Sequence, residues 1–180
     1  MLKRIAKILK ITALCIVVVL IVAALLYYVP HATPIDLTLN ATKLDEAGNV
    51  LGTVQIHIKG QQLDYLFRES RWDVEIEPFD DLPQFQLSDS PNGRGTIHTY
   101  SSLDPDVLSV YGGCFLPEET YYLYINYTEE MDCFSIQLLH KSSKIYYVAS
   151  ASGNYDTQGI IDYFNNICGG LVPDRLITPT

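Results

Sequence analysis

Residues 121–151 read YYLYINYTEEMDCFSIQLLHKSSKIYYVASA. Three segments rich in aromatic and β-branched residues, Tyr121–Tyr127, Cys133–His140 and Lys144–Ala151, are separated by short polar turns. Three such segments in immediate succession predict an antiparallel meander. The meander indicates the fold class, because antiparallel strands follow one another through short turns whereas parallel strands need long crossovers.

The sequence before the meander continues this pattern. Ile35, Leu37 and Leu39 alternate with polar residues, and a turn at 45–49 leads into a return strand over 50–59. Residues 60–62, Gly-Gln-Gln, indicate the end of that strand. Further short strands are predicted between residues 72 and 111, and none alternates with a crossover helix.

After the meander, Asp156 is a suitable cap for a helix over 157–168, whose apolar residues lie along one stripe. The sequence therefore predicts a mainly β domain, either an antiparallel β-sandwich or a single curved sheet, with one C-terminal helix.

The first 34 residues, MLKRIAKILKITALCIVVVLIVAALLYYVPHATP, contain no charged side chain between 11 and 29. A helix over this run would be about 28 Å long at ~1.5 Å per residue, close to the ~30 Å apolar thickness of a bilayer. Tyr27 and Tyr28 suit the headgroup zone, and Pro30 ends the helix. We therefore expect a transmembrane signal-anchor helix over 11–29, which precedes the β-rich domain.

The basic residues Lys3, Arg4, Lys7 and Lys10 all precede the apolar run. The positive-inside rule then predicts a cytoplasmic flank over 1–10, a juxtamembrane linker over 30–34 and an extracytoplasmic domain over 35–180. A cleaved secretory signal is the alternative, but such signals have a shorter apolar run of about 7–15 residues and a small-residue cleavage site. The length of the run and the poor sites after Ala24 and Ala32 favour a retained single-pass anchor.

Charge and motifs exclude several classes of function. All 21 acidic residues follow the apolar run, together with only 8 of the 12 basic ones. Such an acidic domain should repel nucleic acids and anionic lipid headgroups. The sequence has no phosphate-binding, dinucleotide-binding or EF-hand pattern, and its histidines lack metal-ligand spacing, so we expect no cofactor and no metal site.

Three cysteines follow the apolar run: Cys114, Cys133 and Cys168. A disulfide between Cys114 and Cys133 and a fully reduced set are both open, because geometry rather than spacing decides such a bridge. Cys114 and Cys133 are also the candidate nucleophiles of a thiol-dependent cell-envelope hydrolase, for which a nearby base is needed. His140 is the one histidine that follows Cys133.

Tyrosine is unusually frequent, at 13 of 180 residues. If Leu123 and Ile125 face the core, Tyr122 and Tyr124 line the opposite face, and Tyr146 joins them in a suitable register. Ordinary cross-strand pairs would explain such rings, and a ligand-contact face is the sharper alternative. We therefore expect a membrane-anchored, non-enzymatic interaction or structural domain that contacts an envelope protein, or alternatively a carbohydrate-binding module.

Overall fold

The computed structural model describes residues 2–67, 69–90, 93–94, 98–99, 107–115, 120–141 and 143–168. Within these ranges, helices α1 (Leu2–Tyr28) and α2 (Thr157–Cys168) flank eleven strands. The strands are β1 (His31–Leu44), β2 (Val50–Asp64), β3 (Arg71–Ile76), β4 (Phe85–Leu87), β5 (Asp89–Ser90), β6 (Gly93–Arg94), β7 (His98–Thr99), β8 (Val107–Phe115), β9 (Thr120–Thr128), β10 (Cys133–His140) and β11 (Ser143–Ser150). The domain predicted over 35–180 includes residues 169–180, which lie outside the described part of the chain.

Nine of these strands form one antiparallel sheet in the order β4-β3-β2-β1-β11-β10-β9-β8-β7, and β5 pairs with β6 separately. The ends of the sheet approach each other, because a Cβ on Gly112 of β8 would meet the Leu87 side chain of β4. The sheet is therefore a nearly closed barrel. The prediction of a mainly β, antiparallel domain is confirmed, and its curved-sheet form is the one observed.

The interior of the barrel is filled by side chains from alternate positions of each strand. In β9, for example, Leu123 and Ile125 are buried whereas Tyr122 and Tyr124 are exposed. The largest interior side chains are aromatic: Trp72, Phe85, Tyr127, Phe134 and Tyr147. Full burial of a large apolar side chain contributes about 1.5–3 kcal/mol, so this aromatic core is a main source of stability.

The contact between the first and last strands is short and is reinforced by a carboxylate. β1 pairs with β11 over three positions, residues 42–44 with 146–148. Lys43 lies opposite Tyr147, and Lys43 Nζ is 2.6 Å from Asp80 Oδ2. The Tyr147 hydroxyl donates to the same oxygen at 2.8 Å. Burial, together with this bond, raises the pKa of Tyr147. Asp80 therefore ties both strands to the β3–β4 connection.

Helix α2 packs on the outer face of the barrel. Asp156 caps it, since the Gly159 N–H donates to Asp156 Oδ1 at 2.7 Å. A second buried cluster joins the helix to the sheet and contains Leu44, Val107, Cys133, Tyr146, Val148, Ile160, Ile161 and Phe164. The helix predicted over 157–168 is observed over the same residues.

The juxtamembrane linker predicted over 30–34 is wrong from residue 31 onward. His31 pairs with Asp64 and Pro34 with Gln61, so both belong to the β1–β2 ladder. Pro34 has no backbone N–H to donate, but proline is tolerated on an edge strand. β1 is such an edge at Pro34, because β11 pairs with residues 42–44 alone.

Strand β2 also continues through Gly60, where the sequence indicated an end. A Cβ at Gly60 would meet the backbone oxygen of Asp73 in β3. Glycine at this position therefore permits a close approach between neighbouring strands and does not break the ladder.

Helix α1 contains a 21-residue segment, Ile8–Tyr28, that is long and apolar enough to cross a membrane. None of this segment is buried against the rest of the protein. The helix ends at Tyr28, before Pro30, and it includes the basic residues near the N-terminus. The predicted helix over 11–29 thus corresponds to the apolar part of a longer helix.

Replacement of Asp80 by alanine should weaken the β1–β11 junction. Lys43 and Tyr147 would both lose their shared acceptor, and we expect the free energy of unfolding to fall by about 1–3 kcal/mol. Denaturant unfolding of the full chain in detergent measures this change. D81A is the matched control, because Asp80 and Asp81 both have positive φ angles, 50° and 64°. Equal effects of D80A and D81A would show that the carboxylate bonds add nothing.

Candidate interaction face

Strand β9 presents two tyrosines on the outside of the barrel. Tyr122 and Tyr124 are 46% and 41% exposed, respectively, and alternate with buried Leu123 and Ile125. This alternation follows from the pleat of a strand, which turns successive side chains to opposite faces. The sequence prediction that Tyr122 and Tyr124 share an outer face therefore agrees with the geometry.

A third ring, Tyr111 of β8, belongs to the same face. Tyr111 lies opposite Tyr124 in the β8–β9 ladder. Their ring centroids are 6.0 Å apart and the ring planes differ by 24°, so the rings are stacked. The sequence analysis missed this residue because the register that pairs β8 with β9 cannot be read from local alternation. We call Tyr111, Tyr122 and Tyr124 the tyrosine face.

Tyr146 lies on the same side of the sheet as the tyrosine face but is covered, so it is not part of that face. The register places Gln137 of β10 between Tyr124 and Tyr146, so all three point outward. Tyr146, however, is only 7% exposed and lies in the cluster with Ile160 and Phe164 of α2. Burial raises the pKa of its hydroxyl. Helix α2 therefore covers one part of the outer face and leaves the tyrosine face open.

Of the two cysteine states that the sequence left open, the Cys114–Cys133 disulfide is not formed, since Cys133 is a free, buried cysteine. Cys114 of β8 pairs with Tyr121 of β9, and Tyr121 pairs with His140 of β10. His140 is the last residue of β10, whereas Cys133 is the first. The two backbones are therefore separated by roughly 20 Å along the strands, at about 3.4 Å per residue. A disulfide requires Cα atoms within about 7 Å, so this pairing is wrong for the fold.

Cys133 also lacks the environment of a nucleophile. It is 3% exposed, and burial followed by the negative charge of Asp132 raises its pKa to about 11. A reactive cysteine needs the opposite shift, because the thiolate is the attacking species. His140 lies at the far end of the strand, where its ring stacks on Tyr121 at 4.4 Å. Cys133 and His140 therefore do not form the nucleophile–base pair that a thiol-dependent hydrolase needs.

Acidic residues line a cavity of about 270 Å³ beside Cys133. Its lining comprises Thr128, Glu129, Glu130, Asp132, Cys133, Tyr155 and Tyr163. The Asp132 carboxylate already accepts from the Ser152 N–H at 3.0 Å and from the Ser150 hydroxyl at 3.3 Å. Hydrogen bonding by the Ser152 side chain, followed by these two bonds, lowers the pKa of Asp132. The Asp132 carboxylate thus fixes the position of residues 150–152, at the end of β11.

The most connected histidine of the described residues is His57, on the outer face of β2. Its Nε2 is 2.8 Å from Asp36 Oδ1, and its Nδ1 is 3.2 Å from Glu77 Oε1. The bond to Asp36, followed by that to Glu77, raises the pKa of His57. No group of three His, Cys, Asp or Glu residues within the described ranges could hold a metal ion. His57 therefore acts as a cross-strand bridge.

The tyrosine face is thus the part of the described surface with the clearest capacity for contact. It combines flat apolar rings with hydroxyl tips, which suit both apolar packing and hydrogen bonding. The chain matches no known protein-family model, no curated protein and no solved structure.

A variant with Cys133 as its sole cysteine, C15A/C114A/C168A, tests the environment of this thiol. With a pKa near 11, alkylation by iodoacetamide at neutral pH should be slower than that of a free cysteine by roughly two orders of magnitude. Unfolding in urea should restore the normal rate. Mass spectrometry of timed samples measures both rates. Native-state alkylation at the rate of free cysteine would contradict the assignment.

Proposed function

We propose that this chain is a single-pass membrane protein whose helix α1 stays in the bilayer and whose barrel is displayed outside. The observation that carries the proposal is that no residue of the apolar segment Ile8–Tyr28 is buried against the folded domain. Water would have to hydrate a predominantly apolar segment of 21 residues, whereas in lipid the helix satisfies its own backbone hydrogen bonds and its apolar side chains are solvated by hydrocarbon.

The proposed orientation rests on the distribution of basic residues. Lys3, Arg4, Lys7 and Lys10 precede the uncharged run over 11–29, and the first lysine or arginine after this run is Lys43. Positive charge near a span is retained in the cytoplasm. The N-terminus is then cytoplasmic and the barrel extracytoplasmic.

The proposed role of the barrel is binding or structural rather than catalytic. Its interior is filled by aliphatic and aromatic side chains, and its candidate nucleophile Cys133 is buried with a raised pKa. The surface that remains for contact is the outside of the barrel. An exposed aromatic group such as the tyrosine face is typical of a protein–protein contact, so the first partner that we propose is another envelope protein.

A neutral carbohydrate is the second candidate partner. The stacked pair Tyr111 and Tyr124 offers a flat apolar surface with polar edges, against which the carbon-bound hydrogens of a sugar ring can pack. The strong excess of acidic residues in the domain disfavours anionic glycans, because like charges repel.

Reversal of the N-terminal charges tests the anchor and its orientation. The full chain with a C-terminal tag should resist alkaline extraction from membranes, and the tag should be accessible to protease from outside. We expect K3E/R4E/K7E/K10E to lose or invert this orientation. K59E/K144E is the control with charges far from the span, and it should leave the orientation unchanged. Recovery of mature protein that begins after Tyr28 in the soluble fraction would contradict the anchor.

Alanine substitutions in the tyrosine face separate the two candidate partners. Y122A and Y124A should each weaken binding by about 1 kcal/mol or more, roughly fivefold in affinity. Y155A is the matched control, because Tyr155 is 51% exposed and lies outside the face. The readouts are glycan-array binding of the full chain in detergent and chemical cross-linking in native membranes. If the glycan array shows no binding and cross-linking depends on Tyr122 and Tyr124, the carbohydrate proposal is excluded. If binding in both assays is unaffected by Y122A and Y124A, the tyrosine face is excluded as the contact surface.

A further inference from the structure

The connection between β2 and β3 carries two adjacent apolar side chains that are exposed. Leu66 is 65% exposed and Phe67 is 60% exposed. The other large apolar side chains exposed in the described domain are not sequence neighbours of one another: Leu51, Tyr122, Tyr124 and Tyr155. Exposed apolar pairs of this kind mark surfaces that contact something other than water.

The strand register places this pair beside the point where the chain leaves α1. His31 follows Tyr28 by three residues and pairs with Asp64, the last residue of β2. Phe67 follows Asp64 by three residues, so its Cα lies within about 11 Å of the Asp64 Cα, at no more than ~3.6 Å per residue. The chain segments that contain His31 and Phe67 are therefore close neighbours at the end of the β1–β2 ladder.

We propose that Leu66 and Phe67 enter the interfacial layer of the same bilayer that α1 spans. This inference rests on the proposed anchoring, which holds the β2–β3 connection near the membrane and gives lipid a high effective concentration there. Leucine and phenylalanine are side chains that amphipathic membrane-binding elements bury at the boundary between headgroups and acyl chains, about 5–10 Å deep.

The partner is lipid in general rather than an anionic headgroup. The domain carries a large excess of acidic residues, which repels anionic surfaces, so the contact depends on the apolar side chains. A second contact beside α1 also restricts the tilt of the barrel. The tyrosine face is then presented at a defined angle to the membrane.

Tryptophan fluorescence of the full chain in phosphatidylcholine bilayers tests the contact. The natural sequence has one tryptophan, Trp72, which is fully buried in the barrel and provides the baseline. In F67W, the added emission should shift to shorter wavelength in bilayers and be lost when the acyl chains carry bromine near the headgroup. L51W is the matched control: Leu51 is 52% exposed on β2, and about 40 Å of strand at ~3.3 Å per residue separates it from the β2–β3 connection. Its emission should not respond to brominated lipid.

Each alternative outcome is distinct. F67W emission that ignores brominated lipid, with the chain still in the bilayer, overturns the inserted contact and leaves the anchor intact. If F67W emission shifts to shorter wavelength as much in detergent as in bilayers and is not quenched by brominated lipid, residue 67 contacts a second copy of the chain. This result also overturns the inference. Loss of the chain from the vesicles at alkaline pH overturns the anchor together with the contact.

Discussion

Three residue pairs between β1 and β11 join the first strand of the barrel to the last. Through this junction the early meander, β1–β4, and the late meander, β8–β11, become one sheet. Leu44 and Tyr146, which are paired here, also belong to the cluster that seats α2. The junction therefore determines where α2 lies, which outer side chains it covers, and how α1 connects to the tyrosine face.

Local periodicity in the sequence predicted the elements that depend on neighbouring residues. The three-stranded meander, the capped helix over 157–168 and the apolar N-terminal helix all follow from alternation, capping chemistry or uninterrupted hydrophobicity. These signals are properties of short stretches of chain. They therefore do not depend on how distant parts of the chain pair.

The remaining features depend on pairings between distant segments, which local patterns do not encode. The β1–β11 junction joins residues about a hundred positions apart, and it explains why Tyr146 is covered although it shares a face with Tyr124. The Cys114–Cys133 bridge that the sequence left open is excluded by strand register, because β8 and β10 place these residues at opposite ends of the meander. Tyr111 was missed because its stacking partner is set by the β8–β9 register.

The interior of the barrel is filled by side chains, and α2 covers part of its exterior. Aromatic rings occupy the inside, and α2 covers the outer residues around Tyr146. The tyrosine face lies next to this covered region on neighbouring strands. A helix that packs on a sheet thus also limits the size of any surface that a partner can reach.

The absence of a linker between α1 and β1 has a mechanical consequence. If α1 is anchored in a membrane and a partner binds the tyrosine face, as proposed, a force between the two enters the barrel through β1, since the ladder begins at His31, soon after α1 ends. When such a force is directed along β1, it shears the β1–β2 hydrogen bonds together, whereas a perpendicular pull would open them one at a time. The long first hairpin therefore makes the barrel suited to sustaining tension along its tether.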